Sequence, residues 1–238
     1  MRLLYLFPHP DDESFGPAAV IHAQLKAGHE VFLYTFTKGG ATRVRHELNL
    51  SVEAMGEVRY KEMLAVEKSL GLTGMRVDDF PDGELAHIDP RELERAIAGH
   101  VEALRPDVLV TYPVYGISGY HDHLVTHAAV KRVFLELRDA GADYLRRLAF
   151  LARPDSDKSV FMGDEFRIRG SAEGKIDCTQ MLSEADRAAM RAALACYGTY
   201  QGKIDESQVI EKVGDRHHFE FYGERFDPPV GDLLAELP

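Results

Sequence analysis

His9-Pro10-Asp11-Asp12-Glu13 sets one imidazole beside three carboxylates within five residues, directly after the apolar run of residues 3–7. Imidazole nitrogen and carboxylate oxygen form a partial ligand set for a zinc-like ion, which in catalytic sites keeps three protein ligands and one open position. His9 and Asp12, three residues apart where the chain changes direction, are the candidate ligands. Asp11, beside the cation, would stay ionised and could accept a proton from water. Helix capping is the simpler account of a carboxylate after a strand. It needs one acid, and it explains neither the second Asp nor the imidazole.

A third ligand must come from elsewhere. A second apolar run, residues 108–112, leads into Pro113-Val114-Tyr115-Gly116-Ile117-Ser118-Gly119-Tyr120-His121-Asp122-His123, with His127 four residues on. In open α/β sheets, ligands sit at the carboxyl ends of strands where the strand order reverses, and the first and fourth strands commonly meet there. His123 and His127 form an i, i+4 pair on one helix face. By spacing alone, either completes the site.

Those junctions need a scaffold, and the hydrophobic pattern supplies one. Short apolar runs at 3–7, 30–36, 75–80, 108–112 and 148–151 alternate with helix-period segments, as in a parallel sheet with crossover helices. The spacing predicts helices over 13–27, 56–70, 90–104 and 122–137. Gly28 and Gly71 end the first two, while Asp89 caps the third and Pro90 begins it. The polar stretch 38–53, with Gly39-Gly40, reads as a long loop of the kind that carries function. Beyond Arg153 the pattern changes: 166–169 and 175–178 read as a hairpin, Ser183 opens a helix, and 218–222 adds a strand. The expected fold class is α/β, a Rossmann-like three-layer parallel sheet flanked by helices, with a C-terminal α+β appendage. Residues 1–238 are read as one domain, with 1–152 its catalytic core and 153–238 the appendage.

Composition narrows the partners. The chain is 45% hydrophobic and 28% charged, as ordinary globular proteins are. Its net charge of −11 argues against nucleic acid, whose phosphates call for clustered Lys and Arg. The apolar runs are strand-sized, so no membrane span is expected. The first run begins at once, which leaves no room for a leader and makes the cytoplasm the expected compartment. Cys178 and Cys196 share no close spacing and read as reduced thiols. The first junction lacks a Gly-x-Gly-x-x-Gly, and its aspartates would repel a pyrophosphate, so a dinucleotide site is rejected. His217-His218 has no carboxylate or Cys at ligand spacing and carries no second metal site.

Taken together, Pro8–Glu13 resembles the signature of the LmbE-like, or PIG-L-type, zinc-dependent N-deacetylases. Further likenesses follow at residues 35–40, at Arg59-x-x-Glu62, at Leu70-Gly71-Leu72, at Phe80–Leu85 and at Gly119–His123; Tyr197–Gln201 is faintly similar to a late aromatic-Gln element. The resemblance implies His9, Asp12 and His123 as metal ligands, Asp11 as general base, and Asp122 as the group that holds an imidazole. It departs at one place, where the family's Gly-His-Pro-Asp-His reads Gly-Tyr-His-Asp-His: either Tyr120 or His121 supplies the oxyanion donor, or activity is reduced. Arg59, Asp82 and Arg43, with Arg45, are candidate substrate contacts, since guanidinium forks suit sugar hydroxyls and acids. Glu62 is expected to pair with Arg59. The implied cofactor is Zn2+, with Fe2+ or another divalent ion able to share such ligands. The implied partner is a small amino-sugar conjugate, and a homo-oligomer is left open. The implied reaction is removal of an acyl group, acetyl in the family, from the amide nitrogen. Hydrolysis of another small amide or ester, or a metal-binding relative with impaired catalysis, are the alternatives.

Overall fold

Leu3, Leu4, Tyr5, Leu6 and Phe7 are all fully buried, as a strand must be when both faces of its sheet are covered. Each such side chain contributes about 1.5–3 kcal/mol by leaving water. In the computed structural model, which describes residues 1–155, 161–162 and 166–237, this run lies in β1 (Arg2–Phe7). The other strands are β2 (Glu30–Thr37), β3 (Gly74–Phe80), β4 (Val108–Thr111), β5 (Arg147–Ala152), β6 (Phe161–Met162), β7 (Phe166–Arg167), β8 (Cys178–Met181) and β9 (Arg216–Phe221). The helices are α1 (Ala18–Lys26), α2 (Val44–Glu47), α3 (Val52–Leu70), α4 (Pro90–Leu104), α5 (His121–Asp139), α6 (Glu184–Ala195), α7 (Gln201–Ser207) and α8 (Val209–Val213).

Seven strands form one sheet, ordered β3-β2-β1-β4-β5-β9-β8. The pairs β1–β4, β2–β3 and β4–β5 are parallel, and β9 runs antiparallel to β5. The sheet is therefore mixed, its parallel part extended by strands from the tail. The register sets Tyr5 opposite Val110, and the Thr111 hydroxyl donates to the Leu6 carbonyl at 2.8 Å. The ends of β1 and β4 thus leave the sheet side by side.

Several elements depart from expectation. The hairpin of 166–169 with 175–178 does not form: β7 pairs with β6, while β8 joins the large sheet. Cys178 is fully buried, so the core rather than a local turn selects its neighbour. α1 begins at Ala18, not Glu13, because Pro17 restrains the residue before it and stands as the N-cap. Asp11 and Asp12 consequently lie in a turn, with Ser14 and Phe15 donating to the Asp11 carbonyl at 2.8 and 2.9 Å, and not at a helix N-terminus. α3 begins at Val52, since the Ser51 side chain accepts from the Ala54 N–H and caps it. α4 has the expected limits, capped by Asp89 and closed by Arg105 at φ +52.

Two compact units divide the chain. One comprises Met1–Leu6, Glu84–Met181 and His217–Pro238. Within it α4 packs on α5, and the buried Arg147 grips Glu224 through two hydrogen bonds while donating to the Leu233 and Ala235 carbonyls. The other comprises Phe7–Gly83 and Leu182–Arg216. There α6 packs on α1 and α3. A capping box between Ser183 and Asp186 starts α6, and Asp186 also meets the His22 ring of α1 at 2.7 Å.

Candidate active site

The turn after β1 is organised by charge. Asp12 folds back so that its Oδ2 accepts the His9 backbone N–H at 2.9 Å. The His9 Nε2 lies 3.3 Å from Asp82 Oδ1, and Asp82 Oδ2 accepts from the Ala41 N–H at 2.7 Å. Asp11 sits at φ +83, a left-handed conformation that persists in a non-glycine residue only when its surroundings impose it. Two side chains do so. The Tyr197 hydroxyl accepts the Asp11 N–H at 2.8 Å and donates to Glu13 Oε1 at 2.7 Å. The Arg59 Nη2 donates to Asp11 Oδ2 at 2.6 Å and to the Pro10 carbonyl at 2.8 Å.

Arg59 is 1% exposed and lies under the Tyr200 ring at 3.9 Å. Gly39, at φ +64, makes room for it, because a Cβ there would stand 2.9 Å from the Arg59 Nε. Burial raises the Asp11 carboxyl above its ordinary pKa, and Arg59 opposes that rise. Burial works against the Arg59 charge as well, yet Asp11 and the two tyrosines hold it above its usual value. Burial also lifts Glu13 to about 7, against hydrogen bonds from Ser14 and Tyr197.

The loop between β4 and α5 is held by its own backbone. Gly116, Ile117 and Gly119 take φ of +64, +59 and +74; for the β-branched Ile117 that is a strained choice. A Cβ on Gly116 would meet the His123 Cβ at 2.9 Å, so glycine permits the close approach. The His123 Nδ1 lies 2.9 Å from the Gly116 carbonyl oxygen. A carbonyl only accepts, so Nδ1 carries the proton and Nε2 the lone pair, the tautomer a metal-binding histidine uses. The ring stacks on Tyr112 at 4.0 Å. Asp122, fully buried, accepts the Leu85 N–H at 3.1 Å. The Tyr120 ring lies 5.9 Å from that of His123, whereas His121 is exposed at the first residue of α5.

Within one unit the His9 Nδ1 lies 3.7 Å from Asp12 Oδ2; within the other, the His123 Nδ1 is committed to the Gly116 carbonyl. His127 is held differently from His123. Its Nδ1 bonds the Tyr112 carbonyl at 2.9 Å and its ring packs on Phe150 at 4.7 Å. An imidazole, a carboxylate and an imidazole of fixed tautomer suit a divalent, zinc-like ion.

Other expected residues lie elsewhere. Arg59, read as a substrate contact, is buried beneath Tyr200. Arg43 is exposed just ahead of α2. Glu62 does not pair with Arg59 but accepts from the Thr199 N–H and hydroxyl at 2.7 and 2.9 Å. Tyr197 and Tyr200 carry no motif that assigns them a role; the faint likeness at residues 197–201 is the one signal pointing to them.

Residues 4–134 match the family described as PIG-L: GlcNAc-PI de-N-acetylase. The 1D-myo-inositol 2-acetamido-2-deoxy-alpha-D-glucopyranoside deacetylase of Kineococcus radiotolerans is 31% identical over 161 residues, covering 56% of this chain and 45% of that protein. The chain spans about half the length of the curated relatives it matches. A crystal structure of a deacetylase from the teicoplanin biosynthesis pathway superposes with a TM-score of 0.71 at 17% identity, over 93% of this chain and 97% of that one. The 4-carboxy-2-hydroxymuconate hydratase of Pseudomonas putida superposes at 0.66 with 12% identity, over 94% and 97% of the two chains. At such identities the likeness is one of fold, and a fold can host more than one reaction.

Proposed function

The chain belongs to the PIG-L, or GlcNAc-PI de-N-acetylase, family, and from that premise we propose that it is a metal-dependent amide hydrolase. In this reading it removes an acetyl group from the amino-sugar nitrogen of a small conjugate. His9, Asp12 and His123 hold the ion. Zinc bound there supplies Lewis acidity that readies water and polarises the amide carbonyl.

The chain's own groups do the remaining work. Asp11, anchored through Oδ2 by Arg59, takes a proton from the attacking water and returns it to the departing nitrogen. Tyr120, beside His123, donates to the carbonyl oxygen as it gains charge, a contribution of roughly 3–4 kcal/mol for such donors. Asp82 orients the His9 ring, and Arg59 is a positioning residue for Asp11 rather than a substrate contact. Arg43, exposed ahead of α2, would be the cation that meets substrate. A cytoplasmic site of action belongs to the same proposal: Cys178 and Cys196 are free thiols, as a reducing compartment keeps them. No helix among the described residues is long and apolar enough to cross a membrane.

The observation that supports this reading is the turn after β1, where His9 and Asp12 flank an Asp11 whose carboxylate Arg59 holds and whose N–H the Tyr197 hydroxyl accepts. The test pairs elemental analysis of the purified protein with acetate release from N-acetylglucosamine conjugates. We expect stoichiometric bound metal, lost in His9→Ala and His123→Ala. Asp11→Asn should keep the metal and lose about 10²–10⁴-fold in turnover. Metal binding that survives both histidine substitutions overturns the ligand assignment. Bound metal without acetate release from any amino sugar points instead to another small amide or ester, or to a relative that only binds.

A further inference from the structure

His123, His127, Lys131 and Phe134 follow one another along a single face of α5. The first belongs to the site above. His127 and Lys131 instead line a cavity of about 340 Å³ bounded by α5, β5, β9 and the segment near Lys175. Its floor is aromatic. Phe150 lies against His127 and directly opposite Glu220 in the β5–β9 ladder, and Tyr222 follows on the same face.

The charges around this cavity are unevenly committed. Three carboxylates and three cations border it. Asp177 accepts from the Phe221 and Phe226 N–H groups and from Arg225. Glu224 is held by both forks of Arg147. Lys131 and Lys175 have no carboxylate partner among the described residues, and Glu220 alone stands against them. The Lys131 ammonium sits 4.8 Å over the Tyr222 ring, which steers it without neutralising it. The His127 Nδ1 is spent on the Tyr112 carbonyl. In a chain of net charge −11, uncommitted ammonium groups above an aromatic floor fit an organic anion with a flat body.

We infer that this cavity receives the acceptor half of the conjugate, and that this half carries an anionic oxygen group met by Lys131 and Lys175 while its body lies on Phe150 and Tyr222. The inference rests on the deacetylase reading. It follows from spacing as well, because one helical turn sets His127 about 6 Å along α5 from His123, the span of a single sugar ring.

Calorimetric titration of zinc-loaded Asp11→Asn protein tests it, with phenyl, 4-carboxyphenyl and 4-phosphophenyl N-acetylglucosaminides as probes. The anionic glycosides should bind at least about tenfold more tightly than the neutral one, with the two acids revealing which anion is preferred. Lys131→Met with Lys175→Met should remove that advantage. Glu220→Gln, a change of opposite sign, should enlarge it, so the test does not depend on one variant folding. Equal affinity for all three glycosides, or an anionic advantage that survives the lysine substitutions, overturns the inference. Acetate release by the unsubstituted enzyme judges the other reading separately. Release from all three glycosides without a binding preference leaves the deacetylase standing and removes the cavity's role. A lysine-dependent preference without release leaves a ligand site and removes the deacetylase.

Discussion

The two loops that carry the candidate ligands are held by opposite means. The turn after β1 depends on groups distant in sequence: Asp11 is fixed by Arg59, 48 positions on, and by Tyr197, 186 positions on. The loop after β4 is fixed almost within itself, with His123 bonded to a carbonyl seven residues back and stacked on Tyr112. A carboxylate in a left-handed conformation and out of water is costly and must be restrained from several sides. An imidazole needs a single acceptor to settle its tautomer. Asp11 is therefore the part of the candidate site most exposed to distant substitutions.

The sharpest way to break this contrast is Arg59→Met. It leaves Asp11 facing a partner that is gone, and breaking a buried pair costs about 3–5 kcal/mol. Urea denaturation should show that loss, and acetate release should fall with it. A variant as stable as the parent would mean that the Asp11 carboxyl never depended on Arg59. Gly116→Ala attacks the other loop alone. The new Cβ would crowd His123 in a left-handed position, at about 1–3 kcal/mol, and zinc affinity should drop roughly 10–100-fold. Unchanged affinity by competition with a chelator would show that the Gly116 carbonyl does not set the ring.

Tyr197→Phe sharpens the comparison by removing one hydroxyl from the first loop. The expected loss of stability is about 1–3 kcal/mol for the groups left unpaired, with turnover reduced more than zinc affinity, the reverse of Gly116→Ala. A fall in zinc affinity with turnover per bound metal intact would reassign Tyr197 to the ligands. The smallest effect concerns how the tail that carries Tyr197 is tied down. Burial pushes the Asp186 carboxyl up, but hydrogen bonds from Ser183 and His22 outweigh that and hold it below its ordinary value. A depressed carboxyl contributes its stability above the unfolded value and loses it as pH falls through the folded one. Between pH values of about 5 and 3, near the carboxylate range, the parent should lose more stability than Asp186→Asn. Parallel losses would show that this pair is indifferent to folding.

How much could be read in advance follows from the same contrast. His9–Glu13 was legible because its charges are contiguous, and β1 because five adjacent apolar residues have few other uses. The start of α1 was misplaced because helix periodicity continues through Phe15, while the Pro17 restriction acts on one residue. Glu62, expected to pair with Arg59 of the Arg-x-x-Glu motif, instead meets Thr199, which arrives from the tail and takes both of its oxygens. The tail's hairpin was misread because turn signals act locally, whereas Cys178 answers to the core.

The amino-acid order by itself determined the strand cores, the helix caps at Asp89 and Ser183, and the short list of residues able to bind a cation, because burial patterns and neighbouring charges are properties of adjacent residues. Tertiary structure alone decided that Arg59 and Tyr197 hydrogen-bond Asp11 and that the His127 Nδ1 turns to the Tyr112 carbonyl. Those outcomes depend on which side chains the folded backbone brings within hydrogen-bond reach, and no spacing along the chain encodes that distance.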